Sequence, residues 1–62
     1  MKYVVVKDGR EIKEFQDIEE VNEYILQEDG HYYIISVFPI HIAIEEYQVY
    51  NKKAYRIDAV NF

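Results

Sequence analysis

The 62-residue sequence contains no cysteine and no tryptophan, and it has only one proline and two glycines. Without cysteine, neither a disulfide framework nor a zinc–thiolate site is possible. No apolar run approaches the roughly 18 residues of a membrane-spanning helix, and no targeting segment is recognisable. We therefore expect residues 1–62 to form one small cytosolic domain without a membrane partner. Because so short a chain buries only about 60% of its unfolded surface, good packing or self-association must stabilise it.

Residue types that carry catalysis are also scarce. The chain has no threonine and one serine, Ser36, which falls within a predicted strand. Glu45 and Glu46 are adjacent, so a strand would point them to opposite faces, where they cannot flank one substrate. The two histidines, His31 and His41, lack a diagnostic metal-ligand spacing. We predict that the protein is not an enzyme and binds neither a metal nor a cofactor.

An amino-terminal hairpin is predicted from two short strands joined by a turn signal. Residues 3–7 are mostly β-branched, and residues 10–14 form the returning strand. Asp8-Gly9 between them is typical of a two-residue type I′ turn, in which both residues have positive φ. A loop of that length places Val5 opposite Ile12.

A helix is predicted over residues 17–29. Asp17 is a good N-cap residue, and Glu20 three positions later resembles a capping box. Phe15 precedes the cap and can fold back on the helix, while Gly30 suits its end. Apolar residues recur at helical spacing and form one stripe: Ile18, Val21, Ile25 and Leu26.

The second half of the sequence predicts strands only. Residues 32–38 are nearly all apolar, and Pro39 interrupts the run because proline cannot donate to a ladder. Residues 40–50 alternate in polarity past a kink near Glu45-Glu46, and residues 54–60 follow a polar turn. The predicted fold class is α+β, in which one helix packs on a mostly antiparallel sheet of four to five strands in the order ββαβββ.

The third predicted strand is apolar on both faces, although one helix can cover only one of them. An antiparallel strand with a solvated face should alternate apolar and polar residues. Tyrosine is enriched at the centre of protein interfaces. We therefore expect a homodimer, the alternative being a strongly curled sheet that covers itself. We assign the dimer interface to Tyr32, Ile34, Phe38, Tyr47 and Tyr50.

The charge balance is acidic, with twelve Asp and Glu against seven Lys and Arg and a net charge of −5. This balance disfavours direct binding to phosphate backbones and favours a cationic partner. No lysine or arginine lies between Asp17 and Asp29. The acidic side of the helix is interpreted either as a solvated face or as the binding face for a second, basic protein. The residues that we assign to this partner-binding face are Glu19, Glu20, Glu23 and Gln27.

The leading hypothesis is a small acidic protein that binds and inhibits, or tethers, another protein. One alternative is a mimic of nucleic acid that occupies a basic groove, with carboxylates in place of phosphates. Another is a single-strand nucleic-acid binder that stacks bases on tyrosines such as Tyr32 or Tyr50. Direct binding of this kind is disfavoured because only Lys52, Lys53 and Arg56 are near enough to hold a backbone.

The start of the chain loosely resembles two families. Residues Tyr3-Val4-Val5-Val6, Gly9 and an acidic first helix are similar to the first half of antitoxin-type partial RNase-H-like domains and to the strand–helix start of barstar-like inhibitors. This resemblance covers under half of the chain, and we assign no family from it. In size and acidity the chain is also similar to the small inhibitors of host proteins that phages and mobile elements encode.

Overall fold

A computed structural model describes all 62 residues and contains one helix and five antiparallel strands in one sheet, which confirms the α+β class. The elements are β1 Lys2–Lys7, β2 Glu11–Phe15, α1 Ile18–Ile25, β3 Gly30–Val37, β4 Ile42–Tyr50 and β5 Lys53–Asn61. Their spatial order is β2-β1-β3-β4-β5. The sequence order ββαβββ agrees with the prediction, and the sheet has five strands.

The β1–β2 turn lies where the sequence predicts it. Asp8 and Gly9 both have positive φ, at 51° and 69°. The Arg10 amide donates to the carbonyl of Lys7 at 3.0 Å, closing the turn. The first paired residues are nevertheless Lys7 and Glu11, so Arg10 is an extra loop residue. The loop contains three residues rather than two.

The extra loop residue changes the strand register. Val5 lies opposite Lys13, and Ile12 lies opposite Val6, so the predicted pairing of Val5 with Ile12 is wrong by one residue. Because side chains alternate between faces, a shift of one residue moves Ile12 to the face opposite from Val5.

Helix α1 is shorter than the sequence predicts. Asp17 is the N-cap, and its Oδ1 accepts a hydrogen bond from the Glu19 amide at 3.0 Å. At the other end the helix finishes in a turn of the 3₁₀ type, in which the Gln27 amide donates to the carbonyl of Tyr24 at 3.3 Å. Gly30 opens β3 instead of capping the helix. The helix is too short and too polar to cross a membrane.

One face of the sheet is covered by α1, which packs mainly against β1 and β2. Phe15 folds back on the helix as expected, with its ring centroid 5.2 Å from that of Tyr24. The buried apolar core consists of Val5, Val21, Ile25, Tyr32, Ile34 and Val49. The strand members of this core all project from the same side of the sheet.

The β4–β5 pair is irregular near the predicted kink. Tyr47 pairs with Arg56 and Glu46 pairs with Asp58, so Ile57 is inserted as a bulge. All nine residues of β5 are exposed, because the helix does not extend over this edge of the sheet. Charged side chains and a bulge on an edge strand oppose further strand pairing there.

Candidate functional site

The sheet face opposite α1 has no covering element, and we call it the open face. Strand alternation and the pairing register define its members. Its main apolar side chains are Val4, Val6, Ile12, Tyr33, Ile35, Val37, Ile42, Ile44, Val60 and Phe62, and Tyr50 and Tyr55 lie on the same side nearer the β4–β5 turn. The central members are half-buried by their neighbours, and those at the margins are largely exposed. The face is a continuous apolar surface.

Charged side chains flank this apolar surface at two of its corners. Lys2 and Glu14 form one corner, with Nζ and Oε2 3.9 Å apart. Glu46 and Asp58, in the middle of β4 and β5, bound it at the diagonally opposite corner, and His31 Nε2 lies 2.5 Å from Glu46 Oε2. An apolar centre with a polar rim is the arrangement found in protein–protein interfaces.

A shallow depression of about 240 Å³ lies beside the acidic corner. Glu46 and Asp58 are directly opposite each other on β4 and β5. Like charges in this position destabilise a sheet. The depression is lined by Tyr33, Ile44, Glu46, Asp58, Val60 and Phe62. This corner of the open face therefore carries an excess of negative charge next to aromatic side chains.

Two residues assigned to the dimer interface lie instead under the helix. Tyr32 is 1% and Ile34 is 2% exposed, because the pairing with β1 sets them opposite Lys7 and Val5, on the helix side of the sheet. The Tyr32 hydroxyl donates to the carbonyl of Glu28 at 2.7 Å. This corrects the assignment, since neither side chain can reach another molecule while the core is intact. Burial of Tyr32 also removes it as a platform for stacking bases.

The other three assigned interface residues lie apart from one another. Tyr47 is on the helix side, where its hydroxyl donates to Glu45 Oε2 at 3.2 Å, and burial raises its pKa. Phe38 is in the β3–β4 loop and stacks on His41, with centroids 4.3 Å apart. Tyr50 is exposed at the end of β4, on the side of the open face. Sequence reasoning thus missed most of the open face, for which the strand register was the required signal.

Some acidic side chains have an ion-pair or hydrogen-bond partner within the chain, and the others, which we call free, have none. Ion pairs involve Glu14, Glu28, Glu45 and Glu46. Backbone amides donate to the carboxylates of Asp8, Asp17, Asp29 and Asp58. The carboxylates without such a partner are those of Glu11, Glu19, Glu20 and Glu23.

Three of these four free carboxylates lie on α1. Glu19, Glu20 and Glu23 are exposed, and Gln27 follows the helix end and is exposed as well. The helix has acidic residues in its first turn and no basic residue in its last turn. The four residues assigned to partner binding therefore share one accessible region, which we call the acidic surface.

A buried lysine joins the helix end to the sheet. Lys7 forms an ion pair with Glu28, and this hydrogen bond raises the pKa of the Lys7 ammonium group. Burial raises the pKa of the neighbouring Tyr32 hydroxyl. These contacts fix the segment between α1 and β3, and sequence reasoning did not single out Lys7.

The two histidines lie near opposite ends of β3, His31 at its start and His41 in the loop beyond it. No group of three or more potential metal ligands is assembled.

Comparison with family models found no match, and comparisons with curated proteins and with solved structures found no significant similarity.

Proposed function

We propose that this chain is a non-enzymatic protein-binding module that forms a homodimer through its open face and presents its acidic surface to a second, basic protein. The observation that carries the proposal is the continuous apolar surface opposite α1. The free carboxylates on α1 support the second part. In the dimer the two acidic surfaces would lie on the outer sides of the assembly.

The size of the open face favours a second copy as its occupant. Ile12 is 72% and Phe62 is 71% exposed, and the other apolar members add partial areas. With roughly 150–250 Å² for a large side chain, the face leaves on the order of 700 Å² of apolar area accessible. A stable interface buries about 800 Å² per partner, and a typical monomer has no apolar patch above about 300–600 Å².

Self-association would also supply the core that a short chain lacks. Only eight of the 62 residues are buried in the single chain. Two open faces packed about 10 Å apart would form a β-sandwich with a shared interior. Each copy would then have apolar packing on both sides of its sheet.

The acidic surface favours a cationic protein as the second partner. Glu19 and Glu23 are four residues apart on α1, where like charges repel by a few tenths of a kcal/mol. A basic patch of another protein would offset this repulsion and gain affinity at low salt. We propose that such binding inhibits or tethers the partner, as a phage or mobile-element inhibitor of a host defence or nucleic-acid-processing protein would. The same carboxylates would serve the alternative role of a nucleic-acid mimic.

A pair of isoleucine substitutions tests the dimer. Ile42→Lys places a charge on the open face, whereas Ile40→Lys places the same charge in the β3–β4 loop, at a side chain that is 92% exposed. Sedimentation velocity over a concentration series should give a dimer for the wild type and Ile40→Lys, and a monomer for Ile42→Lys. Identical sedimentation of both variants and the wild type would contradict a dimer through the open face.

The acidic surface is tested with an oligolysine peptide as the probe. Glu23→Lys changes one free carboxylate on α1, and Glu11→Lys changes the free carboxylate on β2, so the two variants have equal net charge. Fluorescence anisotropy at low salt should show weaker peptide binding for Glu23→Lys than for Glu11→Lys. Equal binding by the two variants would mean that net charge alone, and not this surface, attracts a cationic partner.

A further inference from the structure

We propose that the two sheets of the dimer cross diagonally, so that Lys2 of each copy lies against Glu46 and Asp58 of the other. This inference rests on the homodimer proposed above and specifies its geometry. The pairing register fixes which side chains lie on the open face and which of them share a row.

The register arranges the apolar part of the open face in three rows that cross the strands, and the pairs Gln48–Tyr55 and Tyr50–Lys53 lie beyond the first row. The first row contains Ile12, Val6, Tyr33, Glu46 and Asp58. The second contains Glu14, Val4, Ile35, Ile44 and Val60. The third contains Lys2, Val37, Ile42 and Phe62. Lys2 and Glu46 are therefore two strands and two rows apart, and Ile35 lies at the midpoint between them.

A homodimer of this kind has a two-fold axis that lies between the two open faces. Two simple directions of this axis are unfavourable. An axis along β3 would set Glu46 against the second copy's Val6 and Asp58 against its Ile12. An axis across the strands at Ile35 would set Glu46 and Asp58 against Ile42 and Phe62. Both placements bury carboxylates against apolar side chains without a hydrogen-bond partner, which is costly.

A diagonal axis avoids this cost for Glu46 and Asp58. The axis that exchanges Lys2 with Glu46 passes over Ile35 and runs from Ile12 to Phe62. Each of these three apolar residues then lies against the same residue of the second copy. With strands about 4.8 Å apart and a rise of about 3.3 Å per residue, the strands of the two sheets cross at roughly 70°, near the orthogonal class of sheet packing.

The diagonal arrangement also accounts for the acidic corner. Glu46 and Asp58 repel each other across β4 and β5 in the single chain. In the dimer, the ammonium group of Lys2 would lie next to both carboxylates. The apolar stem of Lys2 would occupy the depression beside Tyr33 and Phe62. Each copy would contribute one such contact, so the dimer would contain two.

Charge reversal with complementation tests this geometry. Lys2→Glu and Asp58→Lys should each weaken the homodimer about tenfold or more in sedimentation equilibrium, because each variant sets like charges together at both contacts. An equimolar mixture should form a heterodimer, resolved by native mass spectrometry, with a dissociation constant within a few fold of the wild-type value. At one contact of this heterodimer the two substituted side chains would meet with opposite charges, and the other contact would keep its natural residues.

The control is Lys53→Glu, which makes the same charge change as Lys2→Glu at the far end of β5, and it should leave the dimer unchanged. A mixture that binds no more tightly than the separate variants would overturn the diagonal geometry, as would a wild-type dimer that tolerates both reversals. A wild-type chain that stays monomeric would instead overturn the homodimer itself, so the two failures are distinguishable.

Discussion

Glu46 and Asp58 lie directly opposite each other on β4 and β5, next to the bulge at Ile57 and on the face that the helix leaves uncovered. His31 is 2.5 Å from Glu46, whereas Asp58 accepts only from the adjacent Ala59 amide, at 2.8 Å. The sheet of the single chain thus retains an electrostatic repulsion that a partner could relieve.

Removing this repulsion should stabilise the monomer. In the Ile42→Lys background, which we expect to be monomeric, Asp58→Asn should raise the free energy of unfolding by about 0.2–1 kcal/mol, because asparagine keeps the hydrogen-bond acceptor and loses the charge. Urea denaturation measures the difference. A decrease in stability would show that the two carboxylates do not repel each other significantly.

The helix stripe should tolerate substitution only where it is exposed. Ile25→Val removes a buried methylene group and should lower the free energy of unfolding by about 0.5–1.5 kcal/mol. Ile18→Val makes the same change on the same helix at an exposed side chain and should have less than about half of that effect. Thermal or urea unfolding of the two variants gives the comparison. Equal losses would contradict the position of α1 on the sheet.

Charge reversals on α1 should have opposite effects on stability. Glu23→Lys replaces the repulsion with Glu19 by an attraction and should stabilise the protein by about 0.2–0.5 kcal/mol. Glu20→Lys puts a positive charge in the first turn, near the positive end of the helix dipole, and should destabilise it by about 0.3–1 kcal/mol. Circular dichroism during urea unfolding measures both. The same sign for both variants would contradict this account of the helix charges.

Stability should fall at alkaline pH. The hydrogen bond to Glu28 raises the pKa of Lys7 above 10.5, and burial raises that of Tyr32 above 10.0. The folded chain therefore holds these protons more tightly than the unfolded chain, so the stabilisation is complete below about pH 10 and is lost as pH rises through the folded-state pKa values.

Urea unfolding between about pH 8 and pH 11 tests this expectation. Tyr32→Phe should reduce the alkaline loss, because phenylalanine cannot ionise. Tyr55→Phe removes an exposed hydroxyl and should leave the pH profile unchanged. A wild-type profile that is flat up to about pH 11 would contradict the coupling of these groups to folding.

The helix and the strands were predictable from local sequence patterns, but which side of each strand faces the helix was not. Asp8-Gly9 and the stripe of Val21 and Ile25 each specify a local structure, and both lie where expected. Either alternating set of residues in β3 could have faced the helix, since both contain large apolar side chains. The more uniformly apolar set, with Tyr33 and Ile35, is the uncovered one.

The choice of faces depends on one loop residue. With a two-residue loop Phe15 would pair with Lys2, and the even-numbered residues of β1 would face the helix. With Arg10 in the loop Phe15 pairs with Tyr3, so Val5 lies inside and Ile12 outside. A single residue thus decides which side of the hairpin is buried. The acidic surface was predictable because three of its four residues are on one helix, where exposure follows from helical spacing, and Gln27 comes directly after the helix end.

The central claim is that two copies associate through the open face, and the mass in solution tests it most directly. Size-exclusion chromatography with light scattering, at low and high salt, should give twice the 7.5 kDa of the single chain. We expect the dimer to persist at high salt, because apolar contacts dominate the interface and salt weakens only its charged corners. A mass of one chain at high micromolar concentration in both buffers would contradict the account.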